Sequence, residues 1–181
     1  MKEVGRRKGI GKKIVVSFPG GRGYEIPLLY FGAKFYEDKG YDKLFISHPG
    51  YGDYDFSTLL ENAEEIIGKE NLADYDDIVF VAKSIGTVLA CQIKEKYQIP
   101  AKLILFTPLQ ETMPYLHHGN DIQLVAVGEK DRYIDALMLS AECEKEGILC
   151  HVEQNVGHRM EVMDDLNRNL EIISHVIGKL N

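Results

Sequence analysis

The chain has 181 residues, 45% of them hydrophobic and 27% charged, which suits one globular domain with a sizeable core. A formal net charge of −7 argues against nucleic acid or an anionic membrane surface as its main partner. No apolar run reaches membrane-spanning length, no apolar stretch follows the basic N-terminal residues as in a secretory signal, and Cys91, Cys143 and Cys150 lack C-x-x-C spacing, so reduced thiols and a cytoplasmic location are expected.

Residues 1–12 are rich in Lys, Arg and Gly and read as a flexible basic segment ahead of one domain over 13–181. Six short apolar runs follow: Ile14–Phe18, Leu44–Ile46, Ile78–Ala82, Leu103–Phe106, Ile122–Val127 and Ile148–Val152. Most are continuous rather than alternating, as in strands covered on both faces. Helix-compatible segments lie between most of them, at Ile26–Glu37, Ser57–Lys69, Ile85–Tyr97 and Tyr133–Glu146. A last one, Met160–Leu180, spaces Met163, Leu166, Leu170, Ile173, Ile177 and Leu180 at three- and four-residue steps, predicting one apolar helix face. This alternation predicts a three-layer α/β/α sandwich around a mostly parallel sheet of about six strands. Thr107–Asp121 has two Pro and little period; it reads as a loop with a short helix, following a strand C-terminus where parallel sheets place ligands.

Ser84 stands where the third run becomes a helix, with only Ala82-Lys83-Ser84 between the two patterns. So tight a turn lifts a Ser hydroxyl above the sheet and sets it at a helix N-terminus, where free N–H groups can hold an oxyanion. The turn needs small residues two before and two after the Ser, and Ala82 and Gly86 stand there, making Ala82-Lys83-Ser84-Ile85-Gly86 a variant of the G-x-S-x-G elbow. The same residues also read as an ordinary Ser N-cap. Asp131 follows the fifth run by a short turn and can be a crevice carboxylate or the cap of the next helix, with Glu129 as a competing acid. His158 follows the sixth run on the Gly-led loop Asn155-Val156-Gly157-His158. Each of the three ends a different strand on the same sheet edge, in the chain order Ser, Asp, His.

That order and context resemble the α/β-hydrolase family, in the manner of its small, lidless, serine-nucleophile esterases, thioesterases and dienelactone hydrolases. Val15–Tyr24 is similar to the family's first-strand oxyanion loop, and Ile46–Gly52 to its next Gly-rich loop. Departures are Ala82 for the first elbow Gly, Pro19 where many members have His, and no room before Ile14 for the usual N-terminal strand pair. The resemblance implies Ser84 as nucleophile, His158 as general base and Asp131 as its orienting partner. It also implies oxyanion donors at the backbone N–H of Ile85 and of Gly21, with Arg22 as the alternative to Gly21.

The implied activity is cleavage of a carboxylic ester or thioester through an acyl-enzyme, on a small-molecule acyl substrate, with no cofactor. Amide cleavage remains open with the same three residues, as do carbon–carbon cleavage and perhydrolysis on the same scaffold. The alternative from another class is a non-catalytic ligand-binding or sensing module on this fold. No metal is expected: adjacent residues such as His117 and His118 seldom point at one ion. The Gly20–Gly23 stretch lacks the G-x-G-x-x-G pattern and distal acid of a dinucleotide site. Tyr24, Tyr51, Tyr54 and Tyr115 are candidate pocket walls, and a monomer or homodimer is the expected state.

Overall fold

The computed structural model describes residues 11–21, 26–48 and 55–180. The N-terminal segment up to Ile10, together with Arg22, Tyr24, Tyr51 and Tyr54, lies outside them. Six strands form one all-parallel sheet: β1 (Lys13–Phe18), β2 (Asp42–Phe45), β3 (Asp77–Lys83), β4 (Ala101–Phe106), β5 (Ile122–Gly128) and β6 (Cys150–Glu153), in the spatial order β2-β1-β3-β4-β5-β6. Among the described residues, five helices link or follow them: α1 (Pro27–Glu37), α2 (Phe56–Gly68), α3 (Ile85–Tyr97), α4 (Ala136–Lys145) and α5 (Leu166–Ile177).

The continuous apolar runs follow from the layering. Along β3, Ile78, Phe80 and Ala82 pack under α2, α3 and α4, while Val79 and Val81 pack under α1 and α5. Successive side chains point to opposite faces and both faces are dry, so no position in the run can be polar. The helix sides follow from crossover handedness. β1 steps to β2 in one direction through α1; β3, β4, β5 and β6 step in the other through α3 and α4. The reversal lies between β1 and β3, and the crevice of a doubly wound sheet opens at that point, beyond the strand C-termini.

Three elements depart from the sequence expectation. Helix α4 begins at Ala136 rather than Tyr133, because the Tyr133 N–H donates to Asp131 Oδ1 and Asp135 caps the helix, accepting from Leu137 and Met138 N–H. The last helix begins at Leu166 rather than Met160, after positive φ angles at Met160 and Asp164. Its predicted apolar face is also only half right. Met163, Leu166 and Leu170 are 88%, 71% and 55% exposed, whereas Ile172 and Val176 are buried, with Ile173, Ile177 and Leu180 packed against the same core. The helix phase is set by polar anchors: Arg168 pairs with the buried Glu153, and Asn169 bonds the backbone of Val162 from both amide atoms. The Thr107–Asp121 connection carries two 3₁₀ turns, Gln110–Tyr115 and His118–Asn120.

Candidate functional site

The turn after β3 is tight enough to force Ser84 to φ 54° and ψ −127°, an arrangement L-residues rarely adopt and one that costs about 1–3 kcal/mol. The strain is held by backbone: Ser84 N–H donates to Phe106 O at 3.0 Å, and Thr87 N–H to Ser84 O at 2.8 Å. The elbow lies hard against the end of β1. A Cβ on Gly86 would sit 2.3 Å from Phe18 O and 2.7 Å from Pro19 O, so this position admits only Gly. Ser84 occupies the N-cap position of α3, yet its side chain makes no cap bond to the helix.

That hydroxyl meets His158 instead. Ser84 Oγ lies 2.8 Å from His158 Nε2, and His158 Nδ1 lies 2.8 Å from Asp131 Oδ2. A carboxylate only accepts, so Nδ1 carries the ring proton and Nε2 is left to accept from the Ser84 hydroxyl. The Asp131 side chain is fully buried, and its second oxygen accepts from Tyr133 N–H at 2.9 Å. The three residues singled out in the sequence are therefore joined in one hydrogen-bonded line across the ends of β3, β5 and β6.

The His158 loop is fastened onto the end of β5. Gly128 lets it cross: a Cβ there would lie 2.4 Å from Val156 O. Lys130 N–H donates to Val156 O at 2.8 Å, and Glu129 Oε2 accepts from Asn155 N–H at 2.8 Å. Glu129, the competing acid, thus anchors the loop that carries His158, and Asp131 is the carboxylate on the imidazole.

Lys83 was passed over in the sequence, where it reads as a filler position in the elbow. It is 3% exposed, and its ammonium donates to Thr107 Oγ1 at 2.8 Å and to His158 O at 3.1 Å. Burial pushes its pKa down to about 8, with the carboxylates of Asp131 and Glu161 pulling the other way. A Lys beside the candidate Ser84, with its stem in an apolar strand, is the signal that could have marked it. His48 was also missed as a support: its Nε2 lies 3.3 Å from Pro19 O, beneath the first loop, and burial lowers its pKa despite backbone bonds to Pro19 and Gly20.

Both Gly20 and Gly21 border the crevice, as does Ile85. A Cβ on Gly20 would meet Ser84 Cβ at 3.0 Å, whereas nothing lies within 4 Å of one on Gly21. Arg22, the alternative donor, is outside the described residues. The crevice in front of Ser84 has a volume of about 820 Å³ and is walled by Ile26, Pro27, Leu109 and Tyr133 among others. Tyr115 does not reach it; it packs against the core beside α3. His117 bonds Asn120, the His118 N–H donates to Glu146, and among the described residues no group of His, Cys, Asp and Glu is placed to hold a metal. No described helix is long and apolar enough to cross a membrane.

No protein-family model matches the chain, and no curated protein matches it. Solved structures do. An α/β serine hydrolase homologue from Coxiella burnetii superposes with a TM-score of 0.69 at 16% identity, over 97% of this chain and 89% of that one. A protein of unknown function from Agrobacterium tumefaciens gives 0.72 at 14% identity, over 93% and 84%. Est1E from Butyrivibrio proteoclasticus gives 0.63 at 12% identity, over 94% and 89%. The sheet order, the elbow after β3 and these likenesses together assign this chain the α/β-hydrolase fold.

Proposed function

We propose that the protein is a serine hydrolase that cleaves carboxylic esters or thioesters of small acyl substrates through an acyl-enzyme. The observation that carries this reading is the unbroken line from Ser84 Oγ to His158 to Asp131, with the nucleophile on a strained turn. In the first step Ser84 Oγ attacks the substrate carbonyl carbon while its proton passes to His158 Nε2. The backbone N–H of Ile85 and one from the Gly20–Gly21 turn hold the oxyanion. Collapse breaks the bond to the alcohol or thiol, which leaves with the proton from His158. Water then attacks the acyl-Ser84 ester, giving its proton to His158, and the acid departs as Ser84 regains its hydrogen. Asp131 keeps the ring in the productive tautomer and balances the imidazolium. Loss of one oxyanion donor costs about 10²–10³ in rate in sites of this kind.

The test is initial rates on p-nitrophenyl esters and acyl thioesters of graded chain length, with Ser84→Ala run alongside. We expect turnover by the wild type and a loss of roughly 10³-fold or more in the variant. A folded wild type that turns over none of them turns the reading toward a binding module on this fold.

A further inference from the structure

The crevice carries the opposite charge to the protein around it. The chain has a formal charge of −7, yet among the described residues the crevice is bordered by Lys83, Lys130, Arg132 and Arg159 against the exposed carboxylate of Glu161, with the Asp131 carboxylate buried behind His158. Glu161 sits 3.5 Å from Arg159 and offsets that one cation. Lys130 and Arg132 form no ion pair among the described residues. Elsewhere Lys34, Lys69, Lys96, Lys102 and Lys145 each reach a carboxylate, whereas among the described residues the exposed Lys39 and Lys179 form no ion pair.

Arg132 is also held in place. Its Nη2 donates to Tyr133 Oη at 2.6 Å, and its guanidinium stands 4.8 Å from the Tyr133 ring centre. The Tyr133 ring in turn meets the His158 ring edge-on at 4.6 Å. A planar cation, with one side-chain hydrogen bond among the described residues, thus stands one ring away from the imidazole. At the crevice floor, Lys83 spends two of its three N–H bonds on Thr107 and His158. Its buried charge acts through a weakly screening medium.

We infer that the substrate is anionic: its acyl or alcohol part carries a carboxylate or phosphate that lies against Arg132 and Lys130 at the crevice rim. The inference rests on Ser84 being the nucleophile of an ester hydrolase. Clustered like charges of this kind both steer the substrate in and fix its orientation by charge-assisted hydrogen bonds.

Two matched pairs of probes test it. Mono-p-nitrophenyl adipate against p-nitrophenyl hexanoate places the charge on the acyl side, and p-acetoxybenzoate against its methyl ester places it on the alcohol side. In one pair the anionic member is expected to have the higher kcat/KM by about tenfold, the worth of one charge-assisted bond. That ratio falls toward one in the Lys130→Gln/Arg132→Gln variant and with added salt. A phosphonate-tipped analogue of the favoured probe separates a phosphate from a carboxylate preference. Equal or better turnover of the neutral member in both pairs overturns the inference while leaving the hydrolase reading intact, as does a ratio that the double variant does not move. No turnover of any probe by the folded protein overturns the hydrolase reading, and the inference with it.

Discussion

Lys83 is the residue in this site that most needs a physical reason. An ammonium buried in a strand end is costly, and here it is retained by bonds to Thr107 and to the carbonyl of His158 itself. It is a strut that ties the His158 loop to the elbow. Its lowered pKa gives a measurable signature. Between about pH 8 and the ordinary value of 10.5, the unfolded chain holds a proton that the folded chain has released, so stability rises with pH across that window. The contribution is complete above the window and gone below it. Urea denaturation of the wild type and Lys83→Met at about pH 7 and about pH 9.5 isolates it, since other groups titrate in both chains. The gap is expected to move in the wild type's favour by up to about 2 kcal/mol. A gap that does not change with pH contradicts this role. Asp131 shows a different economy: one oxygen orients the imidazole and the other accepts from the Tyr133 N–H, so a single side chain ends the strand turn and aims His158.

The elements explain why some of this was legible beforehand. The central strands β1, β3, β4 and β5 stood out in the sequence because strands covered on both faces are apolar over most of their length, whereas the edge strands β2 and β6 show only shorter apolar runs and carry Asp42, Lys43 and Glu153. The elbow was legible for a related reason. Ala82 lies fully buried beside Phe18, and Gly86 faces the carbonyls of Phe18 and Pro19, so the crowding that demands small residues is a backbone property of the turn. Gly86→Ala accordingly forces α3 off the end of β1. It is expected to lower stability by about 1–3 kcal/mol in denaturant titration; a variant as stable as the wild type would show that the contact yields. Half of the apolar face expected of α5 is exposed because the helix orientation is dictated by Glu153 and Val162, contacts with no signature in hydrophobic spacing. Lys83 and Gly20 were missed for the same reason. Their roles come from which strand end lies beside which, and this becomes visible only when the sheet order is known.

At the scale of the whole molecule, the order β2-β1-β3-β4-β5-β6 gathers four strand ends into one crevice: the Gly turn after β1, Ser84 after β3, Asp131 after β5 and His158 after β6. Residues more than seventy positions apart in the chain meet there at hydrogen-bond distance. The far edge of the sheet is locked by Glu153, the last residue of β6. Burial raises its pKa, but the bonds from His151 and Arg168 prevail and hold the carboxyl below its ordinary value. The scaffold that carries His158 is thus tied down on both sides of its loop, at Glu129 and at Glu153. Such a frame suits the proposed role of His158 as a base that returns to the same place in each half of an acyl-transfer cycle.

The most direct test of that account is labelling with a fluorophosphonate, whose phosphorus is attacked by an activated Ser hydroxyl as fluoride leaves. Intact-mass and peptide analysis are expected to find one adduct per chain, on Ser84, absent from Ser84→Ala and formed far more slowly in His158→Ala. A folded wild type that takes up no label, or an adduct that persists in Ser84→Ala, would contradict it.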